Sequence, residues 1–389
     1  EVVGGGDATY YASDYLTADG KYDDVAMRKN SMEVAAQTAS DGSILLWNNN
    51  SALPLAENSR VSLFGIGTVN YKFSGGGSGE IKSSPADNFK AALEKSSTIK
   101  VNGTLFQAYA ALRDNYGSRN VQGVQTNDNK YNGKNGYTDE RYREFYVNEP
   151  SWSVVEDKMS GGKTIESPLV GSKNAPGYGD AAIMVITRDG AEDGDTWFYS
   201  NECLDNNYLD LSTQEAEILS KLQSLKEAGT IGKIVLLMNT NSVMQMKHIK
   251  QYDIDACVHV GAGGVQSFEA ISNILTGKTN PNGALVDTMA YDNYSAPATV
   301  NFGDFKWTNS TGLPGTDIGT YNNAYVVYQE GIYVGYRYYE TRYEDVVMGN
   351  GNADSTKGTK QSADRWSYAE EVAFPFGYGQ SYTTFGFSN

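Results

Sequence analysis

The chain has 389 residues, 40% hydrophobic and 20% charged, with 31 Lys and Arg against 47 Asp and Glu and a formal net charge of −16. That length can bury a large core and hold two or three domains, while the net charge repels phosphate backbones and argues against a nucleic-acid partner. No apolar run approaches the roughly 18 residues that a membrane span needs. Two cysteines, Cys203 and Cys257, and two histidines, His248 and His259, show no metal-ligand spacing. No metal site is expected, and nothing in the chain implies a cofactor. Cys257 sits in an apolar strand pattern, which favours a buried thiol over a disulfide.

Residues 1–25 form a Gly, Asp and Tyr-rich arm without a clear period. The opening EVVGGGDATYY has no signal peptide and no Met, as a processed, cleaved or excised chain would. A helix is expected over Val25–Ser40 and a strand over Ser43–Trp47, followed by the turn Ala52-Leu53-Pro54-Leu55. Arg60–Gly65 reads as a buried strand. Gly75–Glu80 is a glycine-rich loop that lacks the Lys-Ser/Thr ending of a phosphate loop. Helices are expected at Phe89–Lys95 and Leu105–Tyr116, with a short strand at Ile99–Val101 between them. Residues 118–178 read as an excursion, with a helix at Asp139–Phe145. Asn49-Asn50-Ser51, Asn102-Gly103-Thr104, Asn293-Tyr294-Ser295 and Asn309-Ser310-Thr311 are sequons. They lean toward an extracellular or cell-surface setting without fixing a compartment.

From Asp180 strands and helices alternate. Ala181–Ile186, Lys233–Met238 and Ala256–Val260 are apolar runs of buried-strand length. Ser212-Thr213-Gln214-Glu215 has the spacing of a capping box. Ala216, Leu219, Leu222 and Leu225 mark the apolar face of the helix it opens. Further helices are expected at Ser242–Ile249 and Gln266–Leu275. Strands separated by such helices predict parallel βαβ units. In the last third, Glu330–Thr341 (EGIYVGYRYYET) alternates as a strand would, with Ile332, Val334, Tyr336 and Tyr338 on one face. Phe374–Phe385 reads as a turn closed by Pro375, Gly377 and Gly379, then a short strand.

The stretch ITRDGAEDGDTWFYSNECLDNNYLDLS runs from Ile186 to Ser212 and begins where a buried strand ends. In open parallel sheets, sites form beyond the carboxyl ends of strands. This loop holds Asp189, Glu192, Asp193, Asp195, Glu202 and Asp205. By composition alone it is a solvated acidic loop. Trp197, Phe198 and Tyr199 follow the acidic cluster directly, and three consecutive aromatics cannot all face one core.

Five blocks together resemble the α/β-sandwich domain of glycoside hydrolase family 3. They are SILLWNNNSALPL (43–55), the glycine-serine loop, the acidic loop, GAGGVQSFEAISNILTGKTNPNGAL (261–285), and the pair EGIYVGYRYYET and FPFGYGQSYTTF. The resemblance implies an (α/β)6-type sandwich with a mostly parallel sheet over residues 26–389. The acidic loop is similar to the family's "R-x-S-G-E-G-x-D", in which the glutamate is the general acid/base. Arg188, Glu192 and Asp195 fall on the arginine, glutamate and aspartate, with Glu202 the second choice for acid/base. Gly190-Ala191 replaces Ser-Gly.

The resemblance further implies an exo-acting retaining β-glycosidase, most often a β-glucosidase, acting on a β-linked oligosaccharide or glycoside. β-Xylosidase and β-N-acetylglucosaminidase remain open. Trp197, Arg188 and Asp195 would contact the sugar. The family nucleophile is an aspartate in an "(S/T)DW"-type motif on a TIM barrel. The chain contains neither that motif nor a barrel, and its Asp-Thr-Trp lies inside the acidic loop. The expected arrangement is therefore a permuted one, with the sandwich first and the barrel elsewhere. A non-catalytic carbohydrate-binding or scaffold component is the alternative.

Overall fold

A computed structural model describes residues 15–75, 77–81, 87–117, 119–120, 145–190, 200–302, 305–306, 324–325, 328–384 and 386. Six strands form the main sheet: β1 (Ile44–Asn48), β2 (Arg60–Phe64), β3 (Lys100–Val101), β4 (Ala181–Thr187), β5 (Ile234–Asn239) and β6 (Ala256–His259). Their spatial order is β1-β6-β5-β4-β2-β3. All pairings are parallel except β1 with β6, which is antiparallel.

The central strands are buried on both faces, so they read as unbroken apolar runs. Alternate side chains then feed two cores. On one face Ala182, Met184 and Ile186 of β4 join Ile234, Leu236 and Met238 of β5. They meet Leu105 and Tyr109 of α3 (Gly103–Ala110) and Ile218, Leu219 and Leu222 of α4 (Thr213–Glu227). On the other face Ile183, Val185, Val235 and Leu237 meet Phe89 and Leu93 of α2 (Phe89–Ser96) and Phe268, Ile271 and Leu275 of α5 (Ser267–Leu275). Each buried Val, Leu, Ile, Met or Phe among them contributes about 1.5–3 kcal/mol through burial. Helix α1 (Asp24–Asp41) precedes the sheet, with Asp23 accepting from the Ala26 N–H at 2.9 Å as its N-cap. The turn after β2 needs Gly65, whose φ is +85°. A Cβ there would lie 2.6 Å from the Val185 carbonyl oxygen.

Four expected elements differ. Glu330–Thr341 is not a strand; α6 (Tyr336–Met348) starts at Gly335 and ends at Gly349, both with positive φ. The alternation is genuine, but among the described residues no strand pairs with it. The helix instead buries Tyr339 in a small cluster with Ala290, Ala296, Trp366 and Val372. Ser242–Ile249 is irregular, with only a 3-10 turn at Ile249–Gln251. Its amides go to tertiary partners: Gln245 to Leu209, Met246 to Ala290 and Lys247 to Tyr291. Helix α3 ends at Ala110, and residues 111–115 are turns. In the C-terminal segment the strand comes before the turn. Val372–Phe374 (β8) pairs antiparallel with Met289–Ala290 (β7), and among the described residues after the turn only Gln380 bridges, to Leu45. Of the expected helix Asp139–Phe145, residues 139–144 lie outside the described residues. Phe145–Tyr146 pairs with Arg119–Asn120. Both cysteines are buried free thiols.

Candidate active site

The carboxyl ends of β2, β4, β5 and β6 share one edge of the sheet, where parallel sheets place their sites. Asn239, at the end of β5, ties this edge together. Its Oδ1 accepts from the Lys72 N–H at 2.7 Å. Its Nδ2 donates to the carbonyls of Lys72 at 2.8 Å and Gly261 at 2.6 Å. The Lys72 ammonium lies 3.5 Å from Asp189, directly after β4, and both side chains are about one-fifth exposed (22% and 21%).

The loop from Arg188 to Ser212 leaves from this edge. Arg188 closes its base. The guanidinium is fully buried and forms a bidentate pair with Glu215, at 2.8 and 2.7 Å. It also donates to the carbonyls of Tyr208 at 2.6 Å, Thr187 at 2.7 Å, and Asp210. Burial alone would lower the guanidinium pKa, but the Glu215 carboxylate overrides it and holds the group above its ordinary value. Glu215 is also the third residue of α4, in a complete capping box with Ser212. One carboxylate therefore starts the helix and anchors the loop. The Tyr208 hydroxyl accepts from the Asp189 N–H at 2.7 Å and donates to its carbonyl at 3.2 Å, joining the two feet of the loop.

Glu202 belongs to the same frame. Its carboxylate accepts from the Asn148 N–H at 2.7 Å, and its carbonyl accepts from Thr213 N–H at 2.8 Å. Next to Asn148, the carboxyl of buried Glu149 accepts from Ile66 N–H at 3.0 Å. Burial, then the charge of Glu215, pushes that carboxyl well above the usual range. Burial also raises Cys203 to about 12, which keeps it an inert thiol.

Glu192, Asp195 and Trp197 lie outside the described residues. Arg188, expected to touch sugar, points inward, and every contact it makes is internal. Sequence reading missed Glu149, Lys72, Asn239 and the cluster of Asp205, Asp210 and His248. Asp210 accepts from Gln245 at 2.6 Å and His248 at 2.5 Å, and burial holds its carboxyl above the ordinary range. Asp205 pairs with Lys247 at 2.5 Å. The ligand-type atoms of Asp205, Asp210 and His248 lie within 4.8 Å of one another. Lys247 and the ring of His248 already supply hydrogen bonds to the two carboxylates. No local spacing signals this cluster, because the irregular backbone after Ser242 brings its members together.

A cavity of about 290 Å³ opens beside the loop, between Leu209, Ser242 and the start of α6 at Gly335. Gly335 has a φ of +58°, and a Cβ there would lie 2.8 Å from Asp287 Oδ1.

This architecture has known counterparts. Residues 43–336 match the family described as the glycosyl hydrolase family 3 C-terminal domain. The chain belongs to glycosyl hydrolase family 3. Its α/β sandwich with a mostly parallel six-stranded sheet is the fold of that domain. Among curated proteins, this family 3 chain is 28% identical over 357 residues to a β-glucosidase of Ruminococcus albus. The match covers 92% of this chain and 29% of that protein. It is 26% identical to β-glucosidase A of Butyrivibrio fibrisolvens, covering 93% of this chain and 36% of that protein. It thus spans about a third of the length of these relatives. Among solved structures, β-glucosidase 3B of Thermotoga neapolitana in complex with glucose superposes with a TM-score of 0.57. The identity is 23%, over 94% of this chain and 39% of that one. A β-glucosidase from Paenibacillus barengoltzii gives 0.57 at 24% identity, over 91% and 30%. These likenesses are of fold. Among the described residues no helix is long and apolar enough to cross a membrane.

Proposed function

We propose that this family 3 chain is the sandwich component of an exo-acting retaining β-glycosidase with β-glucosides as substrates. The observation that carries the reading is the acidic loop. It follows a fully buried strand at the carboxyl edge of a family 3 sheet, and its two feet are fixed by Arg188, Tyr208 and Glu215. A rigid base allows a side chain on the span between Gly190 and Ser200 to be presented in one place, as acid/base catalysis requires.

In this reading residues 26–389 are the sandwich and residues 1–25 an arm. Glu192 is the general acid/base. It protonates the departing glycosidic oxygen and later takes a proton from water. Its partner is a nucleophilic aspartate on a barrel domain outside this chain, about 5–5.5 Å away as in retaining enzymes. Trp197 and Asp195 contact the sugar, and Arg188 acts on the sugar through the loop it holds. Glu202 remains the second choice, although its carboxylate is already engaged by the Asn148 amide.

The test uses the complete enzyme, in which the chain is joined to its barrel. Glu192→Gln keeps the shape but cannot donate a proton. Hydrolysis of glucosides with poor leaving groups should fall by about 10²–10⁴-fold. Glycosylation by an activated aryl glucoside should be spared, and azide should speed its turnover. The same pattern in Glu202→Gln and not in Glu192→Gln would assign the role to Glu202.

A further inference from the structure

Helix α6 separates two cavities. Gly335 and Tyr339 line the small one beside Leu209. On the neighbouring face, Tyr338, Thr341, Arg342 and Asp345 line a second cavity of about 720 Å³. Its opposite wall is the turn after the helix, shaped by Gly349 and Gly351 at φ +70° and +58° and carrying Asn352. The volume lies within the roughly 300–1,000 Å³ typical of small-molecule sites.

The chemistry of the walls narrows the ligand. Glu330 and Asp345 balance Arg342 and Lys357, so the cleft has no net charge. Arg342 is committed to the protein: it donates to the carbonyls of Ala353 at 2.8 Å, Ser355 at 2.6 Å and Lys357 at 3.2 Å, and to the Tyr338 hydroxyl at 2.5 Å. Among the described residues only the Lys357 ammonium is then left to an anion, and the overall charge of −16 opposes its approach. The carboxylates, by contrast, keep acceptor capacity. Glu330 accepts from Asn301 at 3.0 Å and Asp345 from Asn350 at 3.1 Å, each through one of two oxygens. Tyr333 is 46% exposed. Among the described residues neither Tyr333 nor Asn352 makes a side-chain hydrogen bond. Acceptor carboxylates, an amide and an exposed aromatic face suit hydroxyl groups and the C–H face of a pyranose ring.

We propose that this cleft is a binding site for a neutral saccharide, distinct from the acidic loop. The choice of a β-glucoside as its ligand rests on the glycosidase reading; the cleft itself does not. The test is saturation-transfer NMR and calorimetric titration of the 389-residue chain with cellobiose, repeated on Tyr333→Ala and Asn352→Ala. Both positions are exposed, and melting curves report whether either change disturbs the fold. Asn352 lies in the turn rather than in the helix, so it reads the site independently of α6. Binding by the wild-type chain, weakened at least about tenfold in both variants at unchanged melting temperature, supports the proposal. Absence of transfer from cellobiose overturns it. Equal affinity in wild type and variants also overturns it. If replacing the 191–199 span then removes binding, the sugar sits at the acidic loop and the glycosidase reading survives alone.

Discussion

Arg188 anchors the base of the acidic loop: its buried guanidinium pairs with Glu215, 27 residues on, and donates to the carbonyls of Tyr208 and Asp210. Arg188→Met should destabilise the chain by about 3–5 kcal/mol, because Glu215 would remain buried without its partner. Urea denaturation measures this, and adding Glu215→Leu should restore a good part of the loss. A single-variant loss below about 1 kcal/mol, at the level of exposed ion pairs, would mean that the pair does not hold the loop. His259, at the end of β6, makes a pH prediction. Burial lowers its pKa from 6.5 to about 4, and its Nδ1 has no hydrogen-bond partner among the described residues. The unfolded chain therefore binds this proton more readily. The stabilisation is complete above pH 6.5 and is lost as pH falls toward 4, by at most about 3 kcal/mol. Denaturation of wild type and His259→Leu between pH 7 and 4.5 should diverge accordingly. Parallel curves would show that the ring is not the acid-sensitive group.

Among the elements, legibility followed how strongly local pattern and tertiary setting agreed. β4 and β5 were readable because both faces are buried, so the whole run must be apolar. The start of α4 was readable because the capping box is a local code, and both of its hydrogen bonds are present. Ser212→Ala should cost about 1 kcal/mol, read as a lowered urea midpoint with an unchanged slope. A midpoint equal to wild type would mean that Glu215 alone starts the helix. α6 was misread because Tyr-Val-Gly-Tyr-Arg-Tyr-Tyr suits a strand by composition. Strand propensity is weak where no neighbouring strand exists to pair with. The segment 242–249 was misread for the opposite reason: a helical pattern lost its amides to Leu209, Ala290 and Tyr291.

For the whole molecule, the purified chain alone should not hydrolyse an aryl β-glucoside. In the proposed division of catalytic groups the attacking carboxylate lies outside this chain, and acid catalysis alone contributes only about 10²–10⁴-fold. Robust turnover by the 389 residues would refute the division of catalytic groups between two domains. The family and the parallel sheet followed from the sequence by itself, because buried strands, caps and glycine turns are local consequences of residue type and spacing. The location of the acidic loop at a strand's carboxyl end was legible for the same reason. Only the tertiary structure decided which carboxylates are frame. Glu149, Glu202 and Glu215 are all acidic residues near one site, and their carboxylates accept from the backbone amides of Ile66, Asn148 and Ser212. Those partners lie 83, 54 and 3 residues away. Only the last is within reach of a sequence pattern.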